Sequence, residues 1–415
     1  MLPPGSVVPD YSGPCLSNVP STILSILGVN NQRPGLPRDA LGNVETSGID
    51  NLILLLCDGL GYNEWIRQTD KGFINSISAK GSVEPITTVF PSTTAAALTT
   101  ISTGLTPQEH GLPEWFVYMD EIGDIIVTLP FTRVGDRGRD TLQGEFNPTA
   151  LFRGGTIFQR LKKEGINSVS LTNRALAYTS YSAVSRVGSD VLPYSSASDM
   201  TVSLRRLVER ARGKNLYYAY WSFVDTIEHI YGPNTDESHV ETSLISHALQ
   251  EGFLSKLDRD AARRTLIVVA ADHGQLRVDP RRTIYMNRWR KLAKALALSP
   301  TGEVIPPWGS ARDAYLRVQE DRLDDTLKYL QQRLDGIAAV MTTEEGIDMG
   351  LFGINRPSRM FRRRIGDIMI LPYGASTVWY RYEKGDPLNV RGHHGGLSRD
   401  EMTIPLAVAR VSDIQ

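Results

Sequence analysis

Short apolar runs rich in β-branched or aromatic residues recur along the chain. Runs of this length, without polar alternation, are typical of strands that are buried on both faces of a sheet. The predicted strands are Asn51–Cys57, Ile166–Leu171, Leu216–Val224, Leu266–Ala271, Asp367–Leu371 and Leu406–Val411.

Amphipathic segments separate many of these runs. Two of them are Thr156–Glu164 and Met200–Arg212, which carry apolar residues on one helical face. A longer helical segment starts at Glu237, and its apolar positions are Val240, Leu244, Leu249, Phe253 and Leu257. Because strands and helices alternate, the sequence predicts an α/β sandwich with a mostly parallel central sheet.

Two stretches interrupt this alternation. Residues 112–148 are rich in Gly, Asp, Arg and aromatic residues, and residues 277–364 form the second break. The second break holds a helical pattern, Glu320–Leu334, and a basic run, Arg362–Arg364, which we expect to be a solvated surface. We therefore expect one domain over residues 1–415 with two insertions, as loops or a small lobe.

Composition narrows the choice of partners. The 415 residues are 41% hydrophobic and carry 45 Lys+Arg against 46 Asp+Glu, so no global field attracts nucleic-acid polymers or anionic membranes. No stretch approaches the roughly 18 apolar residues that span a bilayer. The first residues lack a basic leader and an apolar core, so we expect a cytoplasmic protein. Cys15 and Cys57 are expected to be free, buried thiols.

Aspartates follow three of the strand-like runs: Asp58, Asp225 and Asp272. A single aspartate at such a position is often the N-cap of the next helix. In open α/β sheets, however, ligands bind outside the carboxyl ends of the strands, where all three side chains can converge. We expect them to share one crevice.

Histidines accompany two of these aspartates. His229 follows Asp225 at i, i+4 on one helical face, and His273 follows Asp272 directly. His393 and His394 stand between glycines in Gly392–Gly396, where a tight loop can approach a cation. Mixed His and Asp ligands favour zinc or manganese over calcium or magnesium. Three other histidines are interpreted as surface or packing residues: His110, His239 and His247.

Threonines open an alanine-rich helix in the segment Phe90–Leu98. A hydroxyl at a helix N-terminus lies where unpaired N–H groups favour an anion. Ordinary N-capping explains the same residues equally simply. The residues alone leave both interpretations open.

Five motifs together resemble the type I phosphodiesterase/nucleotide pyrophosphatase family of the alkaline phosphatase superfamily. They occur in the family's order over about residues 51–408: LLLCDGLG, FPSTTAAALTTISTGLTPQEHG, VDTIEHIYGP, VVAADHG and GHHGGLSRDEMTIPL. The resemblance implies an alkaline-phosphatase-like three-layer sandwich. It also implies a small-molecule phosphate ester substrate, cleaved at a phosphodiester or pyrophosphate bond.

The resemblance further implies two divalent ions, zinc or manganese, and a threonine nucleophile. One ion would be held by Asp58, Thr94, Asp272 and His273, and the other by Asp225, His229 and His394. Thr94 would attack phosphorus and form a phosphothreonine intermediate, because the family's nucleophile stands nine positions before the Thr of Thr103-Gly104. Thr93 and His393 are the alternatives to Thr94 and His394.

The chain departs from the family after His110-Gly111, where phosphodiesterases usually place an asparagine that binds phosphate. The backbone N–H of Thr94 or the side chain of Arg133 is expected to replace it. An aromatic wall of Trp115, Phe116 and Tyr118 would suit a nucleobase.

Other activities fit parts of the pattern. A phosphomonoesterase or phosphonate hydrolase of the same superfamily would have the same ligands. Sulfatases need a Cys or Ser in a C/S-x-P-x-R setting, which Ser92–Ala96 lacks, and phosphoglycerate mutases use serine. The alternative of another class is a non-catalytic, metal-stabilised binding protein.

Overall fold

The structure is a computed structural model that describes residues 1–68, 72–382 and 388–415. Its strands are formed by the apolar runs and by shorter segments between them. In chain order they are β1 (Asn51–Cys57), β2 (Ser82–Thr87), β3 (Phe116–Met119), β4 (Asp124–Val127), β5 (Thr132–Arg133), β6 (Asn167–Asn173), β7 (Asp190–Tyr194), β8 (Asn215–Trp221), β9 (Thr265–Ala270), β10 (Leu276–Arg277), β11 (Ile284–Tyr285), β12 (Trp308–Gly309), β13 (Ala314–Leu316), β14 (Ala338–Thr342), β15 (Ile368–Pro372), β16 (Val378–Trp379), β17 (Gly392–His393) and β18 (Thr403–Arg410).

A central sheet of seven strands has the order β2-β18-β9-β1-β8-β6-β7. Strand β1 pairs in parallel with β8 and β9, whereas β18 is antiparallel to β9 and β2. Every residue of β1, β8 and β9 is buried, so helices must cover both faces of the sheet. The predicted three-layer α/β sandwich with a mostly parallel sheet is confirmed.

Helices connect these strands, with short 3₁₀ turns between them. In chain order they are α1 (Val19–Ile26), α2 (Tyr62–Arg67), α3 (Phe73–Lys80), α4 (Thr94–Thr103), α5 (Pro107–His110), α6 (Ile157–Lys163), α7 (Ser180–Ser185), α8 (Ala197–Glu209), α9 (Phe223–Tyr231), α10 (Asp236–Gly252), α11 (Arg259–Arg263), α12 (Arg290–Ala293), α13 (Leu323–Arg333), α14 (Thr343–Asp348), α15 (Arg359–Arg364), α16 (Arg399–Met402) and α17 (Val411–Ile414). None of the helices in the described residues has the length and apolar character of a membrane span.

A second sheet gathers strands from both predicted insertions, in the order β14-β15-β13-β12-β3-β4-β5. The two segments join where Gly309 of β12 pairs with Phe116 of β3. The run Asp367–Leu371 lies in this antiparallel sheet as β15, and not beside the central strands. Strand β15 pairs there with β13 and β14. The periodicity of apolar residues does not predict which strands pair with each other.

Two predicted boundaries are wrong for the same reason. The run Leu216–Val224 changes from strand to helix after Trp221, and Leu406–Val411 ends as a strand at Arg410. Apolar runs continue across both changes, so apolar content alone cannot mark them. As a consequence, Asp225 lies in the first turn of helix α9 rather than directly at a strand end.

Two surface predictions also fail. Val240 and Leu244 are each 55% exposed, because helix α10 buries Ile245 and Leu249 on its other face. In the basic run, Arg362 and Arg363 are exposed but Arg364 is only 1% exposed. Its guanidinium donates to the carbonyl oxygens of Gly111, Leu151 and Ala150 at 2.9, 2.6 and 2.6 Å. Burial lowers the pKa of Arg364 to about 10.

Cys15 and Cys57 are free and buried, as predicted.

Candidate active site

The carboxyl ends of neighbouring strands β1, β8 and β9 bring the three predicted aspartates to one edge of the sheet. The backbone N–H of Asp225 donates to the Asp58 carbonyl at 3.1 Å, and that of Gly59 donates to Asp272 Oδ1 at 3.0 Å. Gly59 has φ of +75°, and a Cβ there would lie 2.8 Å from Asp225 Cα. Only glycine permits this close approach.

His273 stands at the centre of the first group of side chains. Its Nε2 lies 3.4 Å from Asp58 Oδ1, 3.4 Å from Asp272 Oδ2 and 3.1 Å from Thr94 Oγ1. Its Nδ1 lies 3.1 Å from the Gly274 carbonyl, which can only accept, so Nδ1 carries the proton and Nε2 presents its lone pair. Both carboxylate oxygens are buried without a hydrogen-bond partner. These donor atoms suit a divalent cation.

A second group surrounds Asp225. Its Oδ1 lies 3.3 Å from His229 Nε2 and 3.6 Å from His394 Nε2. Each imidazole Nδ1 meets a carbonyl oxygen, that of Gly392 at 2.8 Å and that of Ser92 at 2.9 Å. Both Nε2 atoms are therefore free to act as ligands.

Asp225 also belongs to a set with Asp58 and His273 whose candidate ligand atoms all lie within 4.8 Å of one another. The His273 and His394 rings stack with centroids 3.6 Å apart. The two groups are thus contiguous, with Asp225 between them. The arrangement has donors for two adjacent cations.

The pKa values of Asp58 and His394 are shifted because buried ionisable groups lie close together. Burial, followed by the charges of Asp272 and Asp225, raises the pKa of Asp58 well above its usual range. Burial, followed by the close approach of the His273 imidazole, holds the pKa of His394 well below that of free imidazole. Neutral His394 keeps its lone pair available, and a bound cation would relieve the repulsion between carboxylates.

The two adjacent threonines have different roles in the geometry. Thr93 is the N-cap of helix α4, and its Oγ1 accepts from the Ala96 N–H at 3.5 Å. Thr94 is the first helical residue and turns its hydroxyl toward His273. Of the alternatives, Thr94 and not Thr93 is therefore brought to the acidic centre.

The two adjacent histidines differ in the same way. His393 Nδ1 lies 2.8 Å from the carbonyl oxygen and 2.9 Å from the backbone nitrogen of His394, and His393 belongs to neither ligand group. The loop of His394 is hydrogen-bonded to the segment that precedes helix α4, because the Gly395 N–H donates to Ser92 Oγ at 3.1 Å. Ser92 Oγ in turn donates to the Gly396 carbonyl at 2.8 Å.

Two cavities meet at Thr94 and Asp225. The aromatic cavity has a volume of about 400 Å³ and is lined by Trp115, Phe116, Trp379, His229, His393 and His394, among others. The arginine cavity has a volume of about 290 Å³, and its lining includes Asp58, Trp115, Arg139, Asn173, Arg186 and Tyr220. Trp115 lines both cavities, and Phe116 packs on Trp379 with ring centroids 5.5 Å apart.

Two predicted substrate contacts are not found at the site. Arg133 forms a bidentate pair with Glu145 at 3.1 and 2.6 Å and lines neither cavity. Tyr118 is 2% exposed and packs against Trp308, with centroids 5.9 Å apart, because its side chain faces the second sheet's own core. Trp115 and Phe116 line the aromatic cavity.

Several residues that support the site carry no motif. Tyr220 donates its hydroxyl to Asp58 Oδ2, and Gln275 Nε2 donates to Asp225 Oδ1 at 2.6 Å. Arg312 and Glu401 form a buried ion pair whose carboxylate also accepts from the Gly396 N–H at 3.0 Å. Tyr220 lies inside the predicted strand Leu216–Val224 and comes near a strand end only because β8 stops at Trp221, so the sequence marked neither Tyr220 nor Arg312.

The remaining histidines lie outside the site, as predicted. His110 is fully buried, with Nε2 3.2 Å from Thr100 Oγ1 and Nδ1 accepting from the Leu112 N–H at 3.1 Å. Burial lowers its pKa to about 3, so it is a neutral packing residue. His239 and His247 lie on helix α10, partly buried and exposed respectively.

Comparison with known proteins agrees with this geometry. A family model described as type I phosphodiesterase / nucleotide pyrophosphatase matches residues 52–397. Murine ectonucleotide pyrophosphatase/phosphodiesterase 5, in an inactive form in complex with AMP, superposes with a TM-score of 0.65 at 16% identity, covering 86% of this chain and 87% of that chain. The human counterpart has a TM-score of 0.62 at 17% identity, covering 86% and 87%.

A second kind of enzyme shares the fold. Phosphonoacetate hydrolase from Sinorhizobium meliloti 1021, in complex with phosphonoformate, superposes with a TM-score of 0.60 at 18% identity, covering 87% of this chain and 93% of that chain. No curated protein sequence matches the chain significantly.

Proposed function

Because the chain belongs to the type I phosphodiesterase/nucleotide pyrophosphatase family, within the alkaline phosphatase superfamily, we propose that it cleaves phosphodiester or pyrophosphate bonds through attack by Thr94. The family and the fold identify a hydrolase of the phosphodiesterase/pyrophosphatase kind or a phosphonate hydrolase. The nucleophile, the metals and the preferred bond are our proposal.

One observation carries the proposal: Thr94 Oγ1 lies 3.1 Å from His273 Nε2 at the start of helix α4, beside buried acceptor oxygens that have no partner. The N–H groups of Thr94 and Ala95 make no hydrogen bond within the described residues. Together with the helix dipole, these donors favour phosphate oxygens next to the hydroxyl.

The donor set fits two divalent ions, zinc or manganese. Asp58, Thr94, Asp272 and His273 would hold one ion, and Asp225, His229 and His394 would hold the other. When bound, the ions would lower the pKa of the Thr94 hydroxyl and stabilise the negative charge that develops on the leaving oxygen.

In the proposed reaction, Thr94 acts as the nucleophile and backbone N–H groups bind the phosphate. The Thr94 oxygen attacks phosphorus, a bond from Oγ1 to phosphorus forms, and the bond to the leaving oxygen breaks. The resulting phosphothreonine is hydrolysed by water, which restores the hydroxyl. The N–H groups of Thr94 and Ala95 hold the non-bridging oxygens throughout, in place of the absent asparagine and of Arg133.

The two cavities favour a diester over a monoester. A reacting diester phosphorus carries an organic group on each of two oxygens, and two cavities include Thr94 in their lining. The aromatic cavity suits a planar group such as a nucleobase or aryl ring, because Phe116 and Trp379 form its wall.

Phosphonate or phosphomonoester cleavage is the second candidate. It is favoured by the two arginines that line the arginine cavity, because their positive charge suits an acidic group. The ligand groups would serve either reaction.

The proposal is tested with purified protein, p-nitrophenyl phosphate and the p-nitrophenyl ester of TMP, in added zinc or manganese. Wild type should release nitrophenolate faster from the TMP ester, Thr94→Ala should abolish release, and Thr93→Ala should retain it. Elemental analysis of Thr94→Ala should still find both ions, because six of the seven ligands remain. Hydrolysis of neither ester above the Thr94→Ala rate would leave only the non-catalytic binding protein.

A further inference from the structure

Arg186 is a buried cation without an acidic partner. It follows helix α7, is 5% exposed and lines the arginine cavity. Its Nη1 donates to Ser102 Oγ at 3.0 Å, and its guanidinium carbon lies 4.3 Å from the centre of the Tyr218 ring. Its Nε has no hydrogen-bond partner. Among the described residues, no carboxylate lies within ion-pair distance of it.

Burial of this charge without a counter-charge is unfavourable, because the guanidinium loses the water that would solvate it. A hydroxyl and an aromatic face offset only part of the lost hydration, and buried charges are normally paired. An anion in the cavity would supply the missing partner.

The rest of the cavity wall has matching chemistry. A second arginine, Arg139, lines the cavity from the exposed side and makes no ion pair within the described chain. Asn173 uses its amide oxygen to accept from the Ala175 N–H at 2.9 Å, which leaves its NH₂ group as a donor. The cavity has a volume of about 290 Å³, which accommodates a short acidic chain.

Such an anion would be part of the substrate, because the cavity includes residues of the proposed catalytic centre. Asp58, Thr94 and Asp225 line the same cavity, so a group bound at Arg186 can be attached to the phosphorus under attack. Trp115 lines both this cavity and the aromatic one. A substrate would therefore place its acidic arm toward Arg186 and its other arm toward Phe116.

We propose that the arginine cavity binds an anionic arm of the substrate, a carboxylate or a phosphoryl group on a short linker, through the guanidinium of Arg186 with Arg139 at the entrance. The preferred substrates are then acidic diesters rather than diesters with two neutral arms. This inference rests on the proposed function, since it assigns the substrate class of the same site.

A different role for Arg186 makes a different prediction. If its charge only balanced Asp58, Asp225 and Asp272, removing it would change the hydrolysis of every ester to the same extent. Recognition of an anionic arm changes only the substrates that carry one.

Three p-nitrophenyl diesters distinguish these roles, with propyl, 2-carboxyethyl or 2-phosphonooxyethyl as the other arm. In wild type, kcat/KM for at least one acidic arm should exceed that for propyl by about tenfold or more, and the two acidic diesters tell carboxylate from phosphoryl recognition. Arg186→Gln should lower the acidic-arm value by about 10- to 100-fold, the effect of losing a charged hydrogen bond, and change the propyl value less than about threefold.

Matched variants complete the experiment. Arg333→Gln also removes an arginine that stacks on an aromatic ring, here Trp289 at 4.8 Å, but lies away from the cavities and should change nothing. Arg139→Gln should give a smaller loss confined to acidic arms, and it decides the question if Arg186→Gln does not fold. Equal kcat/KM for the three diesters in wild type, or equal losses in the variant, would overturn the inference.

Binding separates this inference from the proposed reaction. Calorimetry with Thr94→Ala protein compares two unreactive methyl phosphodiesters, one with a 2-carboxyethyl arm and one with a propyl arm. Tighter binding of the acidic diester that is lost on adding Arg186→Gln supports the cavity assignment even if no ester is hydrolysed. Equal binding of the two diesters contradicts it even if hydrolysis by Thr94 is established.

Discussion

Replacement of Glu401 by glutamine should destabilise the protein strongly, although Glu401 is not a proposed ligand. Glu401 Oε1 and Oε2 each lie 2.9 Å from a guanidinium nitrogen of Arg312, and the two side chains are 0% and 2% exposed. Arg312 would keep its bonds to the Gly374 and Ser376 carbonyls at 2.7 and 2.6 Å but lose its counter-charge. Breaking a buried pair on one side costs about 3–5 kcal/mol.

The pH dependence has a definite sign. Burial raises the pKa of Glu401, but the charge and hydrogen bonds of Arg312 outweigh it, so the net pKa is lowered in the folded protein. A lowered pKa contributes stability that is complete above the unfolded value of about 4.3 and is lost as pH falls through the folded value. The difference between wild type and Glu401→Gln should therefore be full at pH 7 and shrink below about pH 4.

Urea unfolding of both proteins in a chelator, from pH 7 downward, measures this difference without a contribution from metal release. Glu145→Gln is the matched control, because it breaks an exposed Arg133–Glu145 pair of the same geometry and should leave stability nearly unchanged. The double variant Arg312→Met/Glu401→Gln should cost less than the sum of the single changes. A cost for Glu401→Gln no larger than that of the control, or strict additivity, would refute the reasoning.

Three further predictions follow from the site. Asp225→Ala should lower the occupancy of both metal positions, because Asp225 lies between the two ligand groups, whereas His229→Ala should affect one; elemental analysis measures both. Tyr220→Phe removes a hydrogen bond to Asp58 and should weaken metal affinity by about 10- to 100-fold in competition with a chelator, with little change in the circular dichroism spectrum. Burial raises the pKa of the Cys57 thiol to about 12, so a thiol reagent at pH 8 should label Cys57 only after unfolding, as mass spectrometry would show.

The sequence predicts the central sheet well, and it also singles out the Asp and His side chains that the structure brings together, because both depend on local patterns. Strands β1, β8 and β9 are long apolar runs, and the residues that follow them are the only places where their carboxyl ends can present side chains. Asp58, Asp272 and His273 follow from that rule, and the motif adds His394, which no periodicity could single out.

The second sheet and the supporting residues could not be predicted in this way. Strands β5 and β12 have two residues each, too few for a period of two to appear. Arg186 and Arg312 are single charged residues in unremarkable surroundings, and only tertiary packing shows that both are buried. The sequence suggests Arg133 as a phosphate contact because it lies in the insertion 112–148 that follows the nucleophile motif. In the structure its guanidinium instead forms an ion pair with Glu145, twelve positions later.

The pairing of Gly309 with Phe116 completes the second sheet. In this fold, the residues proposed to select the substrate therefore lie apart from the residues proposed to react with it. The proposed cation ligands all come from the central sheet or from loops and helices next to it, whereas Phe116 and Ala311, which line the aromatic cavity, belong to the layer formed by the second sheet and the turn between β12 and β13. Evolution or a designer can therefore exchange side chains on that layer and alter which ester is admitted, while the reacting atoms keep their places.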